Sequence, residues 1–421
     1  MRRTGRAPYR PFHDNHSLRV AIVGGGIGGL TLGLALREHG VNAEIYEAAP
    51  ELAEIGAAVA QSANATKILR RLGLLDQLTA VATSPTELIY RDGRTGSRIA
   101  GHPVRNDGWY EAKFGSPYYG VHRADLQRVL GNAFGSQHLH LGCKLANLTE
   151  DADEVHLEFA DGRTASADIV VGADGIRSTV RNWISGGDDL TYTGTSGFRG
   201  IVPMDCLPSL PDREAIQFWM GPDAHLLHFP IGGNAQDVNF LAVVEGPKLW
   251  PTGTRWQADA TADERLEAFR GWHPAVTEMI DAAPHGIRWG LFVLQSLATW
   301  HQGRKVLIGD AAHAMLPHHG QGANTTIEDA YVLAALLATA DRRNLDPALQ
   351  HYQGLRRTRT RQIARSSLVT NDLLHIHDGP DIAARDQRMR EFPERFSWIH
   401  DFDAADTVAR ATAIHEPVGT R

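Results

Sequence analysis

At 421 residues, with 43% hydrophobic and 22% charged residues, the chain has the composition of a globular protein and exceeds what one core usually serves. A net charge of −7 argues against a nucleic-acid partner. The two cysteines, Cys143 and Cys206, exclude a disulfide scaffold and favour a cytoplasmic home, and no apolar run reaches the ~18 residues of a membrane span.

Residues 1–17 carry the pair Arg2-Arg3 with no apolar run behind it, so they read as a disordered basic arm rather than a signal. Val20 to Val23 then reads as a buried strand, and Gly24, Gly26 and Gly29 give G-x-G-x-x-G at the start of a helix. Such glycines permit a tight turn, close approach to a pyrophosphate, and packing of helix on strand. A second strand ends at Glu47, about 20 residues on, where a carboxylate takes ribose hydroxyls. The pattern predicts a dinucleotide site suited to NAD or FAD. Small residues over 56–58 would let backbone pass a flat ring or simply pack closely.

An amphipathic helix follows from about Ser62 to Leu72, then a hairpin from Glu87 to Ile99 turning at Asp92-Gly93. Residues 101–118 look like loop. Arg123 opens another helix, where it could meet a phosphate or pair with Asp125. Residues 139–171 read as a meander running into a second glycine junction at Asp174-Gly175. From Leu190 to about Pro247 short strands with glycine and proline turns predict an antiparallel sheet inserted into the α/β domain. A third junction, Gly309-Asp310, leads through Pro317, His318, Gly320, Gly322, Ala323 and Asn324 into a helix. The arginine-dense helix from about Ala348 to Leu374 reads as a solvated or salt-bridged face. His313, His318 and His319 lack a carboxylate or cysteine at ligand spacing, so no metal site is expected.

In the insert, alternation puts His225, Leu227 and Phe229 on one face and Leu226 and His228 on the other. Only one of the two histidines is expected inside, and alternation leaves open which.

Three such junctions, with a β insert between the second and third, resemble the single-component flavin-dependent aromatic hydroxylases of the p-hydroxybenzoate and salicylate hydroxylase type, over about residues 19–410. The resemblance implies an α/β fold: a Rossmann-like FAD-binding domain with an inserted antiparallel β-sheet substrate domain and a C-terminal helical segment. The FAD-binding parts would be 18–86, 114–189 and 290–345. The substrate parts would be 87–113 and 190–289, and helices would fill 346–421. It also implies that Glu47, Arg123, Asp174 and Asp310 serve FAD, and that backbone N–H groups of the loop Pro317–Asn324 face the flavin. NADH or NADPH would bind transiently, since the chain has no second fingerprint. His225–Pro230, Ala311–His318 and Arg395–Asp401 are the segments most similar to salicylate, 3-hydroxybenzoate and hydroxynicotinate hydroxylases.

The implied reaction hydroxylates a phenolic acid through a flavin C4a-hydroperoxide, with or without loss of carbon dioxide. It needs a base to make the phenolate, for which the resemblance selects His225. Phe198, Phe218, Trp219, Leu227, Phe229, Pro317 and His318 are candidate pocket lining. Two alternatives stay open: an oxygenase or epoxidase of a larger natural-product intermediate, and a non-catalytic flavin-binding protein. A monomer or homodimer is expected.

Overall fold

The structure is a computed structural model, and it describes residues 18–52, 58–186, 190–253, 255–283 and 286–413. The basic arm and two of the small residues, Gly56 and Ala57, lie outside the described residues. A six-stranded sheet runs in the order His301–Gln302, Lys305–Leu307, Ile169–Gly172, Arg19–Val23, Asn42–Tyr46, Leu139–His140. All its pairings are parallel except the first. Its central strands are continuous apolar runs, Val20–Val23 and Ile169–Gly172, because helices and the chain's other layers cover both faces.

The stretch 139–171 is not one meander. Leu145–Glu150, Val155–Phe159 and Thr164–Ala167 form a separate three-stranded antiparallel sheet, while its two ends join the large parallel one. The switch comes at buried Asp168, whose carboxylate accepts the N–H of Arg19 (2.8 Å) and so ties the new strand to the first.

The insert is an eight-stranded sheet in the order Gln257–Ala260, Gly286–Leu294, Leu190–Pro203, Asp237–Glu245, Ala224–Ile231, Ile216–Gly221, Glu87–Asp92, Arg98–Pro103. The early hairpin, Glu87–Asp92 and Arg98–Pro103, forms one edge of it. One pairing, Ile216–Gly221 with Glu87–Asp92, is parallel, so the sheet is mixed rather than purely antiparallel. Those strands are far apart in sequence, so no tight turn forces them to run oppositely. One face, with Phe198, Trp219, Leu226 and Phe240, is covered by helices Ala262–Ala268 and Pro274–Ala282. The other face, with Phe218, Met220 and Phe229, meets Leu374 and Met389 from the C-terminal helices.

Residues 101–118 are not all loop. The strand runs to Pro103, and Trp109–Phe114 is a helix bracketed by left-handed Gly108 and Gly115. Tyr110 and Phe114, four apart, bury one face of it against Ala63. No helix among the described residues is long and apolar enough to cross a membrane.

Candidate active site

The first glycine turn is tight enough to require glycine. Gly24 has φ +110°, and a Cβ there would meet the Ala173 carbonyl oxygen at 2.4 Å. A Cβ on Gly29 would lie 2.0 Å from the oxygen of Gly24. Gly26 caps the helix Ile27–Glu38 in extended conformation. Glu47 points back into this turn, accepting the N–H of Gly25 (2.6 Å) and of Ala49 (2.8 Å). The third junction closes on the first. A Cβ on Gly28 would be 2.5 Å from Thr326, in the first turns of the helix Gly322–Leu337. Gly309, φ +61°, would clash with the same threonine. Two helix N-termini are thereby brought together, each with unpaired N–H groups and a positive dipole end.

The groups around this cradle fit a bound dinucleotide. Asp310 takes no hydrogen bond from any described residue and lies beside Gly322. Gln127 donates to the Gly25 carbonyl (3.1 Å), while its buried Oε1 has no partner. Arg123 opens the helix Arg123–Phe134 and is not paired with Asp125, which instead holds Arg128 (2.5 Å). The charge of Arg123 and, more strongly, burial bring Arg199 down to about 10. Asn324 is committed elsewhere: it accepts from Ser62 and donates to the carbonyls of Ala60 and Gly320, so its side chain shapes the loop. Asp174 is likewise spent within its own turn. Its carboxylate accepts from the Ser178 hydroxyl (2.5 Å) and from the N–H groups of Thr179 and Val180, and burial raises its pKa.

Between the inner face of the large sheet and the C-terminal helices lies a cleft of about 800 Å³, mouth included. That is within the roughly 300–1,000 Å³ of small-molecule sites. Of the expected lining, Phe218, Leu227, Phe229 and His318 are in its wall, together with Gly320. Pro317 opens the turn but is not in the wall. Phe198 and Trp219 belong to the opposite face of the sheet, because in antiparallel register they stand level with Leu226 rather than Leu227. Sequence reasoning missed the rest: Trp109, Tyr110, Phe114 and Tyr118 from the stretch read as loop, and Phe392, Phe396 and His400 from the C-terminal helices. The aromatic density of 109–118 was the available signal.

His225 is 1% exposed, beside His318 with ring centroids 5.0 Å apart. Burial, then the neighbouring His375 and His318, hold it well below the usual histidine pKa. The expectation that only one histidine of this strand lies inside is wrong. His228 is also fully buried, on the far face among Trp219 and its neighbours, because a helical layer covers that face too. His225 lies behind the cleft wall rather than in it, and the wall itself carries four histidines, His102, His318, His319 and His400. Burial depresses all four, to about 3 for His318 and His400 and about 4 for His319. No lysine, arginine or carboxylate side chain stands among the described residues of the wall. Among the described residues no cluster of three or more metal-ligating side chains occurs. His313 instead pairs with buried Asp329.

A family model described as an FAD binding domain matches residues 17–367. The chain belongs to the FAD-dependent aromatic hydroxylases. It is 38% identical to 3-amino-4-hydroxybenzoate 2-monooxygenase of Streptomyces platensis over 94% of this chain and 99% of that one. It is 35% identical to a salicylate hydroxylase of Pseudomonas putida, over 94% and 95%. Its fold is similar to that of Klebsiella pneumoniae HpxO complexed with FAD and uric acid, with TM-score 0.79 and 28% identity, covering 93% of this chain and 97% of that one. The hydroxylase is thus a flavoprotein monooxygenase with FAD as cofactor, as the glycine turns implied.

Proposed function

We propose that the hydroxylase acts on a phenolic aromatic acid, with NADH or NADPH and dioxygen as co-substrates. Bound FAD supplies the redox chemistry, delivering one oxygen atom of dioxygen to the ring. The cradle of Gly24, Gly26 and Gly29, with Glu47, Arg123 and Asp310, would hold the dinucleotide, and Asp174 would act by shaping its turn. Backbone N–H groups at Gly322 and Ala323 would face the flavin ring, where a helix N-terminus favours negative charge, whereas the Gly320 N–H is spent on the Pro317 carbonyl (2.8 Å) and shapes the turn. His225 would take the phenol proton at Nε2, leaving a phenolate whose ring carbons are electron-rich enough to accept electrophilic oxygen. Phe218, Leu227, Phe229 and His318 would pack the ring and keep water out.

The observation that carries this reading is a buried neutral imidazole, His225, in ring contact with a cleft-wall residue. The test is to purify the yellow protein, screen phenolic acids including salicylate and 3-amino-4-hydroxybenzoate for stimulated NADH oxidation, and identify products. Stimulation with a hydroxylated product is expected, and oxidation unaffected by any phenol would overturn it. One observation favours a second reading, an oxygenase of a larger aromatic intermediate. The wall holds no fixed cation to meet a carboxylate. Under that reading uncharged polycyclic phenols would outperform the acids in the same screen.

A further inference from the structure

One ring nitrogen of His225, Nδ1, is already engaged. Its Nδ1 lies 2.7 Å from Nε2 of His375, and Nδ1 of His375 lies 2.6 Å from Oε1 of Glu245. The three side chains come from three elements: the strand Ala224–Ile231, the C-cap of the long helix Leu345–Leu374, and the end of the strand Asp237–Glu245. His225 and His375 are 1% and 6% exposed, whereas the Glu245 side chain is 44% exposed. The line therefore starts beside the cleft and ends in water. Backbone bonds hold both outer members, since the Asp223 N–H donates to the His375 carbonyl (3.4 Å) and the Glu245 N–H to that of Asp223 (2.8 Å).

A lone histidine in so dry a place is a weak base, because a proton it accepts leaves a charge there. A chain of imidazoles avoids that charge. We propose that Glu245, His375 and His225 form a proton wire carrying the substrate's phenol proton from the cleft to solvent, an inference that rests on the reading of His225 as base. The phenol O–H bond breaks as the proton joins Nε2 of His225. The Nδ1 proton of His225 passes to Nε2 of His375, and the Nδ1 proton of His375 passes to the Glu245 carboxylate, which releases it to water. Both rings end neutral with tautomers exchanged. The reverse transfer, as the product oxygen is reprotonated from Nε2 of His225, restores them. His375 and Glu245 touch no substrate and act through His225 as positioning and relay residues. The other titratable or charged groups facing the line are His318 from the cleft turn, Asp223 with its partner His377, and Tyr192 with Arg288 beside Glu245.

The test uses oxidised holoenzyme mixed rapidly with 3-amino-4-hydroxybenzoate or salicylate in weak buffer containing a pH indicator. Phenolate absorbance and proton release are followed together. In the wild type both are expected to rise in one fast phase. Glu245→Gln, at a half-exposed site that should fold normally, is expected to slow release at least tenfold with ligand Kd within twofold. Added acetate should restore the rate, which a merely structural role would not allow. His375→Gln should slow it further. Wild-type rates in both variants, or a slow Glu245→Gln that acetate cannot rescue, would overturn the wire while leaving His225 as base. If neither ligand ionises on binding to the wild type, the base reading itself falls and the wire with it.

Discussion

At the scale of single residues, the sequence placed the glycines well because their constraint is local. A positive φ at Gly24 and contacts near 2 Å at Gly29 are consequences of the turn itself. Side-chain assignments fared unevenly for a physical reason. Asp174 and Asn324 sit in the expected loops, yet their polar atoms close hydrogen bonds within the chain, which spacing cannot reveal. His225 and His228 do occupy opposite faces, but alternation predicts exposure only where one face is wet, and here neither is. His225→Ala should lower hydroxylation by ~10²–10⁴-fold, the usual worth of a general base, with recovery as pH rises and the phenol ionises unaided. A pH-independent loss would point to packing instead.

The buried histidines also set an acid limit. His228, His318 and His400 at about 3 and His319 at about 4 stay neutral when folded, while the unfolded chain protonates them near 6.5. Below pH 6.5 the unfolded state therefore binds more protons, so stability falls as pH falls, each histidine contributing ~1.4 kcal/mol per pH unit. Urea unfolding should give a free energy lower by ~4 kcal/mol or more at pH 5 than at pH 7. Equal values would show that these rings take up protons without unfolding.

Among elements, the arginine-rich helix carried a mixed message. Arg361 and Arg365 are exposed, in keeping with a solvated face. Arg356 and Arg359 are buried and pair with Glu328 and Asp329 on the helix Gly322–Leu337, with Asn64 donating to Glu328 from a third helix (2.6 Å). Burial alone would raise the two carboxylates, but the arginines, with His313 at Asp329, hold both below their usual pKa. The network therefore locks the helix behind the third glycine junction to the long helix that ends at His375. Arg356→Ala leaves two buried carboxylates under-compensated and should cost ~3–5 kcal/mol, read as a lower denaturant midpoint. A change below ~1 kcal/mol would mean water enters the gap.

For the whole molecule, the fold class was legible because the periods of strand and helix are written locally. Much of the cleft wall was not, since Trp109, Phe396 and His400 join it only after the chain has closed on itself. The C-terminal helix Phe392–His400 roofs the cleft, lining it with Phe392, Phe396 and His400. Phe396→Ala should admit water, leaving NADH oxidation near normal while the product formed per NADH drops several-fold and peroxide appears. An unchanged ratio of product to NADH would show that the roof seals without that ring.

The parallel sheet has a consequence for biosynthesis. Its strand Ile169–Gly172 lies between Arg19–Val23 and Lys305–Leu307, so the pairing that brings Gly309 beside Gly28 waits until three quarters of the polypeptide has emerged. Nascent chains stopped before that point would possess the fingerprint yet have nowhere to keep a flavin. Colour in a ribosome-bound series should therefore arrive late and all at once.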